Sequence, residues 1–201
     1  MSAARKIAVA AAVLCGAIAA LFGVHFFTAA RIAAQEHAAE LAAIASVLPA
    51  DRYDNDPMSD RITLVDADAF GTNAPVPVLR ARLHGAPSAL VLEAVAPNGY
   101  SGPIRLVIGA QVDGTVLGVR VLEHHETPGL GDAIEAAKSD WITRFTGKSL
   151  EHPTPDRWAV KKDGGDFDQL SGATVTPRAL IAAVKRVLEY VKLHQDELFA
   201  K

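Results

Sequence analysis

The sequence predicts an α+β protein, in which one apolar N-terminal helix precedes a single domain of clustered strands closed by helices. Three observations carry this expectation. Residues 7–30 hold no charge, residues 76–125 break into short β-rich runs, and residues 177–198 place apolar side chains at helical spacing.

The first element is "IAVAAAVLCGAIAALFGVHFFTAA", Ile7 to Ala30. At about 1.5 Å per residue this run reaches roughly 36 Å, enough to cross a bilayer core with some tilt. Arg5 and Lys6 precede it, and Asp51, Asp54, Asp56 and Asp60 follow. The positive-inside rule therefore keeps the N-terminus in the cytoplasm and the remaining domain outside. A cleaved signal peptide competes with this reading, because "TAA" offers small residues, but the apolar run exceeds the about 7 to 15 residues of a signal core. The lone histidine of the span, His25, is expected at the membrane interface or against a partner subunit.

Next comes "RIAAQEHAAELAAIASVLP", alanine-rich, with Leu41, Ile44 and Leu48 three and four apart, expected as a helical stalk ending near Pro49. The acidic "DRYDNDPMSD" that follows reads as a loop opening the external domain. The expected organisation is thus a cytoplasmic tip and membrane span over 1–30, a stalk over 31–50 and an external domain over 51–201.

Strands are expected at "VPVLRARL" from Val76, "ALVLEAVA" from Ala89, "PIRLVIGAQV" from Pro103 and "TVLGVRVLEHH" from Thr115, the last two joined by a tight turn at Val112-Asp113-Gly114. In the third run Ile104, Leu106, Ile108, Ala110 and Val112 share the more apolar face, which should pack on helices. Helices are expected at "DAIEAAKSDWITRF" and from Pro177 to about Leu198, where Leu180, Ile181, Val184, Val187, Leu188 and Val191 form a core stripe. Trp141, Phe145 and Trp158 are expected in the core.

Composition excludes several functions. The chain carries a formal charge of −3, or −5 without the Arg5 and Lys6 of the first 30 residues, which does not suit nucleic acid. Cys15, the only cysteine, lies in the span, so no internal disulfide or cysteine-held metal is expected. Adjacent His124 and His125 near a strand end point to opposite faces and do not chelate one ion, so no metal site is expected. "GLGDAI" has Ile134 where a dinucleotide fingerprint needs glycine, and "KKDGGDFD" lacks the final Lys-Ser/Thr of a phosphate loop. Lys161 and Lys162 within it read as solvated surface or as steering charges. No Ser/His/Asp order suggests a hydrolase, and no catalytic residue is assigned.

One stretch invites chemistry: "DFDQLSGATVTPRAL", in which Ser171-Gly172-Ala173-Thr174 stands just before the last helix. Thr176 suits an N-cap and Pro177 a first helical residue, which puts Thr174 at the positive end of the helix dipole, where a phosphate is stabilised, although Ser and Thr before a helix are more often plain caps and turn formers. Upstream, "ETPGLGD" combines Pro128, Gly129 and Gly131 either in an ordinary turn or in a loop whose backbone can approach a flat ligand. Tyr100 of "NGYSGPI" is expected to pack over its turn, with a place in the lining of the site as the alternative.

"WAVKKDGGDFDQLSGATVTPRAL" together with "ETPGLG" resembles the G subunit of the bacterial Rnf (Rsx) ion-translocating electron-transport complex, a relative of the C subunit of the sodium-pumping NADH:quinone oxidoreductase. The likeness runs from the single span to the last helix, and Asp168-x-x-Ser171-Gly172-Ala173-Thr174 resembles that family's flavinylation signal. The resemblance implies an external FMN-binding domain with one FMN, joined covalently to the Thr174 oxygen through a phosphoester by a separate flavin transferase that uses FAD. It also implies FMN contacts from Asp168, Ser171, Gly172, Ala173, Thr127, Gly129, Leu130 and Gly131, with Thr176 the rival acceptor. The implied role is an electron relay in a bacterial inner-membrane complex that links ferredoxin and NAD to ion movement, with a periplasmic domain, other membrane subunits as partners and no turnover of its own. Two alternatives stand beside it: the C subunit of the sodium-pumping enzyme, usually longer than this chain, and an anchored flavin-binding regulatory or assembly module without turnover.

Overall fold

The computed structural model describes residues 3–200. Two units divide the chain, one up to Leu41 and one from Ala42 onward. The first consists of helix α1 (Ala3–Val47), whose last residues belong to the second unit. Among the described residues this is the one helix long and apolar enough to cross a membrane, over Val13–Gln35 with mean hydropathy 2.0. Its Phe22, Phe26 and Phe27 side chains are exposed, as suits lipid rather than a core.

The second unit is built on an antiparallel meander, β1 (Arg61–Leu64), β2 (Val76–Leu83), β3 (Ala86–Ala96), β4 (Ile104–Gln111) and β5 (Val116–Glu123), in that spatial order. Each strand pairs with its sequence neighbour, with short turns reversing the chain between β2 and β3 and between β4 and β5. The sequence does not predict β1; with only Ile62 and Leu64 apolar in four residues it is too short to show alternation. A single turn of helix, α2 (Ala67–Phe70), follows it, capped by the Asp66 carboxylate, which accepts from the Ala69 N–H.

Helix α3 (Val175–Leu193) lays Leu180, Ile181, Val184, Val187, Leu188 and Val191 over the face carrying Ile104, Leu106 and Ile108, as their spacings predict. A short α4 (Gln195–Phe199) closes the chain. The opposite sheet face is also covered: Val47 and Leu48 pack with Leu79, Ala81, Val91 and Val107. Gly109 and Gly118, paired across β4 and β5, form the notch for Val47; a Cβ on Gly109 would lie 2.0 Å from the Val47 carbonyl oxygen.

The segment "DAIEAAKSDWITRF" is not an α-helix. It folds into two 3-10 turns, Gly131–Ile134 and Trp141–Phe145, with a turn between them. Side chains intercept the backbone here: Ser139 donates its hydroxyl to the Ala133 carbonyl at 2.6 Å and accepts the Trp141 N–H at 3.1 Å. Trp141 and Phe145 still enter the core, edge to face at 5.5 Å, and Trp158 joins Phe145 and Phe167 there.

Candidate functional site

Three segments at one end of the sheet surround a cavity of about 390 Å³. The turn between β3 and β4 supplies Tyr100, the loop after β5 supplies Glu126, Thr127, Leu130 and Gly131, and the approach to α3 supplies Gly172, Ala173, Thr174, Val175 and Thr176. Tyr100 is 70% exposed and lines the cavity from its rim, the alternative of its two expected places. Leu130 and Val175 add apolar surface at the same mouth, and both are more than a third exposed.

The approach to α3 hangs from the core by Asp168. Its carbonyl accepts the Trp141 indole N–H at 2.7 Å, while its carboxylate accepts from Arg144 at 2.7 Å and from Lys161. Lys161 first, and then the Arg144 charge, hold the Asp168 carboxyl below the usual carboxylate range. Past it, the Ala173 N–H closes a turn on the Leu170 carbonyl at 3.2 Å, with Gly172 at φ +74°. That conformation favours glycine, and space does too, because a Cβ there would come within 2.8 Å of the Leu130 side chain.

Helix α3 starts earlier than the sequence suggests. Thr174 precedes Val175 as the capping residue, and Pro177 is the third helical residue instead of the first. Thr176 is therefore no N-cap; it is fully buried, and its hydroxyl donates to Glu126 Oε2 at 2.5 Å. The Thr174 hydroxyl bonds to no N–H of the helix, and the residue is half-buried and lines the cavity. A helix of 19 residues thus presents an N-terminus without a side-chain cap beside an available hydroxyl, a setting that favours an anion such as phosphate.

Glu126 is a site residue that the sequence does not single out. It is 4% exposed, and its Oε1 accepts the Ser101 N–H at 3.0 Å, so its carboxylate ties all three segments together. Its own N–H donates to His124 Nδ1 at 3.0 Å, which leaves the proton of a neutral imidazole on Nε2, facing Glu135 Oε1 at 2.9 Å. Lys138 joins Glu135 and Asp132 and lowers both carboxyls, His124 adding to the effect on Glu135. His124 thus orders the loop through hydrogen bonds, while His125 is exposed. The only sequence signal for Glu126 is an acid placed directly before a Pro/Gly loop.

Of the residues expected at the site, Thr127, Leu130, Gly131, Gly172, Ala173 and Thr174 line the cavity. Asp168, Ser171 and Gly129 stand outside the lining: Asp168 turns to Arg144 and Lys161, Ser171 is exposed, and Gly129 makes its turn at φ +79°. The cavity volume falls in the usual range for cofactors, about 300–1,000 Å³, and its apolar mouth, backbone-lined loops and reachable hydroxyl fit a flat ring carrying a phosphate.

Fold and site together define an FMN-binding domain, and the family model described as "FMN-binding domain" matches residues 99–189. The G subunit of the ion-translocating oxidoreductase complex of Vibrio atlanticus (strain LGP32) is 47% identical over 88% of this chain and 84% of its own length. The same subunit of Pseudomonas aeruginosa (strain UCBPP-PA14) is 50% identical over 87% and 81%. The chain belongs to this family of G subunits of the ion-translocating oxidoreductase complex, and its apolar N-terminal helix makes it a membrane-anchored member. A solved structure of the C subunit of a Na+-translocating NADH-quinone reductase from Parabacteroides distasonis aligns at 22% identity and TM-score 0.45, covering 70% of this chain and 78% of that one.

Proposed function

We propose that this protein relays electrons as a flavoprotein subunit of an ion-translocating oxidoreductase complex, with FMN carried on the Thr174 hydroxyl through a phosphoester. The observation that carries the attachment point is the contrast between two threonines. Thr174 opens onto the cavity at the N-terminus of α3, whereas the Thr176 hydroxyl is buried and committed to Glu126. When bound, the flavin supplies the redox chemistry, accepting and passing on electrons. The chain's own residues do the rest. Leu130, Val175 and Tyr100 offer apolar contact to the ring, Gly131, Gly172 and Ala173 let backbone approach it, and the uncapped end of α3 balances the phosphate charge.

A separate flavin transferase installs the group in this reading. The Thr174 oxygen attacks the FMN-side phosphorus of FAD, the pyrophosphate bond breaks, AMP leaves and the hydroxyl proton is released. A covalent tether suits a domain outside the cytoplasm, where a dissociated cofactor would be lost by dilution. Arg5 and Lys6 before the span favour an N-terminus in the cytoplasm and a flavin domain on the periplasmic side of the inner membrane. Partner subunits of the complex exchange electrons with it, link ferredoxin and NAD, and move the ions, and the isolated subunit has no turnover.

Mass spectrometry of the protein from its native membrane tests this. The peptide containing Thr174 should carry FMN less one water, and Thr174→Ala should abolish the adduct. An unmodified peptide in cells that contain a flavin transferase would overturn the proposal.

A further inference from the structure

Among the described residues, Glu126 is the one buried carboxylate at the cavity with no cationic partner. Two described acids are more than nine-tenths buried, Glu126 and Asp132, and Asp132 pairs with Lys138 at 2.8 Å. Glu126 makes no ion pair with any described residue; the Ser101 N–H and the Thr176 hydroxyl are its neutral donors. The imidazole of His124 turns an acceptor nitrogen toward the Glu126 N–H and its other nitrogen toward Glu135. Burying a carboxylate without a counter-charge is costly, and hydrogen bonds offset only part of the cost. The fold nevertheless builds around this one: a Cβ on Gly99 would come within 2.9 Å of Oε1, and a Cβ on Gly131 within 2.7 Å of Oε2.

We infer that Glu126 is a fixed negative charge in the wall of the flavin cavity that lowers the reduction potential of the bound flavin. The inference rests on the reading that this cavity holds FMN. Each electron entering the cavity brings negative charge unless a proton follows from solvent, and a buried carboxylate opposes that charge through a medium that screens far less than water. The charge is held in place by two donors on separate segments, so it does not swing away when the cavity gains charge. In a relay, such a group favours handing electrons on over storing them.

Glutamine is the direct test, because its Oε1 can accept the Ser101 N–H while its Nε2 donates to Thr176 Oγ, keeping both bonds and removing the charge. Full-length flavinylated wild type, Glu126→Gln and Glu126→Asp are titrated spectroelectrochemically at pH 7. Glu126→Gln should raise the potential by at least a tenfold change in the oxidised-to-reduced ratio, about 30 mV for a two-electron couple. Glu126→Asp, which retains the charge, should stay within about threefold of wild type, since the Coulomb interaction changes only with distance. A loaded, folded Glu126→Gln that titrates like wild type overturns the inference and leaves the flavin reading intact, whereas wild type without flavin overturns both. Should Glu126→Gln fail to fold, redox-difference infrared spectra of wild type and Glu126→Asp decide. A carboxylate band that responds to reduction and is displaced in Glu126→Asp supports the inference, and its absence overturns it.

Discussion

Thr176 donates its hydroxyl to Glu126 at 2.5 Å, joining the first turn of α3 to a loop 50 residues earlier. Both groups are buried, so each depends on the other: the hydroxyl needs an acceptor and the carboxylate needs its second donor.

Thr176→Val keeps the shape and removes that donor. A buried charged acceptor losing a hydrogen bond costs about 1–3 kcal/mol, so chemical denaturation should show a loss of that size. Flavin should still be attached to Thr174. Thr174→Ala should do the reverse, abolishing the adduct while changing stability by no more than about 0.5 kcal/mol, because its hydroxyl caps nothing.

The Trp141 indole holds the approach to α3 through the Asp168 carbonyl at 2.7 Å. Trp141→Phe leaves that carbonyl without its donor and should free the segment 168–174 locally. Hydrogen exchange at the Ala173 N–H, which bonds to Leu170, is expected to accelerate more than exchange in α3, and flavin loading by the transferase should slow. Equal acceleration throughout the domain would argue against a local hinge.

Much of this architecture is legible in the chain. The runs of β2 to β5 are rich in β-formers and divided by turn formers, and the α3 stripe has one period throughout, so local pattern and final packing agree. The failures share a cause, which is that the deciding partner lies far away in sequence. Thr176 looks like a cap until Glu126 is brought to it, and residues 132–145 have helical composition until Ser139 and Asp168 claim their polar groups. At the site, the glycines and Thr174 are visible through their motif, whereas Glu126 is hidden because one acid beside a loop carries no spacing signal.

Gly109 sits on the less apolar strand face in the sequence pattern, yet its missing side chain admits the end of α1. Gly109→Ala would set a methyl 2.0 Å from the Val47 carbonyl oxygen, a contact with backbone that no rotamer can relieve. Overpacking of this kind costs about 1–3 kcal/mol and occasionally more. A lower thermal midpoint is expected, whereas Gly85→Ala, at a turn where a Cβ meets nothing, should cost only the strain of its φ of +77°. If both variants melt alike, the notch does not hold Val47.

Asp60 is one of the acids whose ionised form the fold stabilises. Its carboxylate accepts from Arg80 Nε at 2.6 Å and Arg82 Nε at 2.7 Å, and the same guanidinium groups reach the carbonyls of Ala200 and Phe199, so one acid organises β2 and the C-terminal segment. Hydrogen bonding from Arg82, then from Arg80, holds its pKa below the ordinary 3.8 despite partial burial. A folded pKa below the unfolded one stabilises fully above the unfolded value, and that contribution disappears as pH falls from about 4 through the folded pKa. Asp60→Asn should therefore lose roughly 1–3 kcal/mol at pH 7 and show a shallower fall in stability below about pH 4, because it has no proton to take up there. Urea unfolding of both proteins between about pH 3 and pH 7 reads the two slopes directly, and parallel curves would mean that Asp60 does not control the acid response.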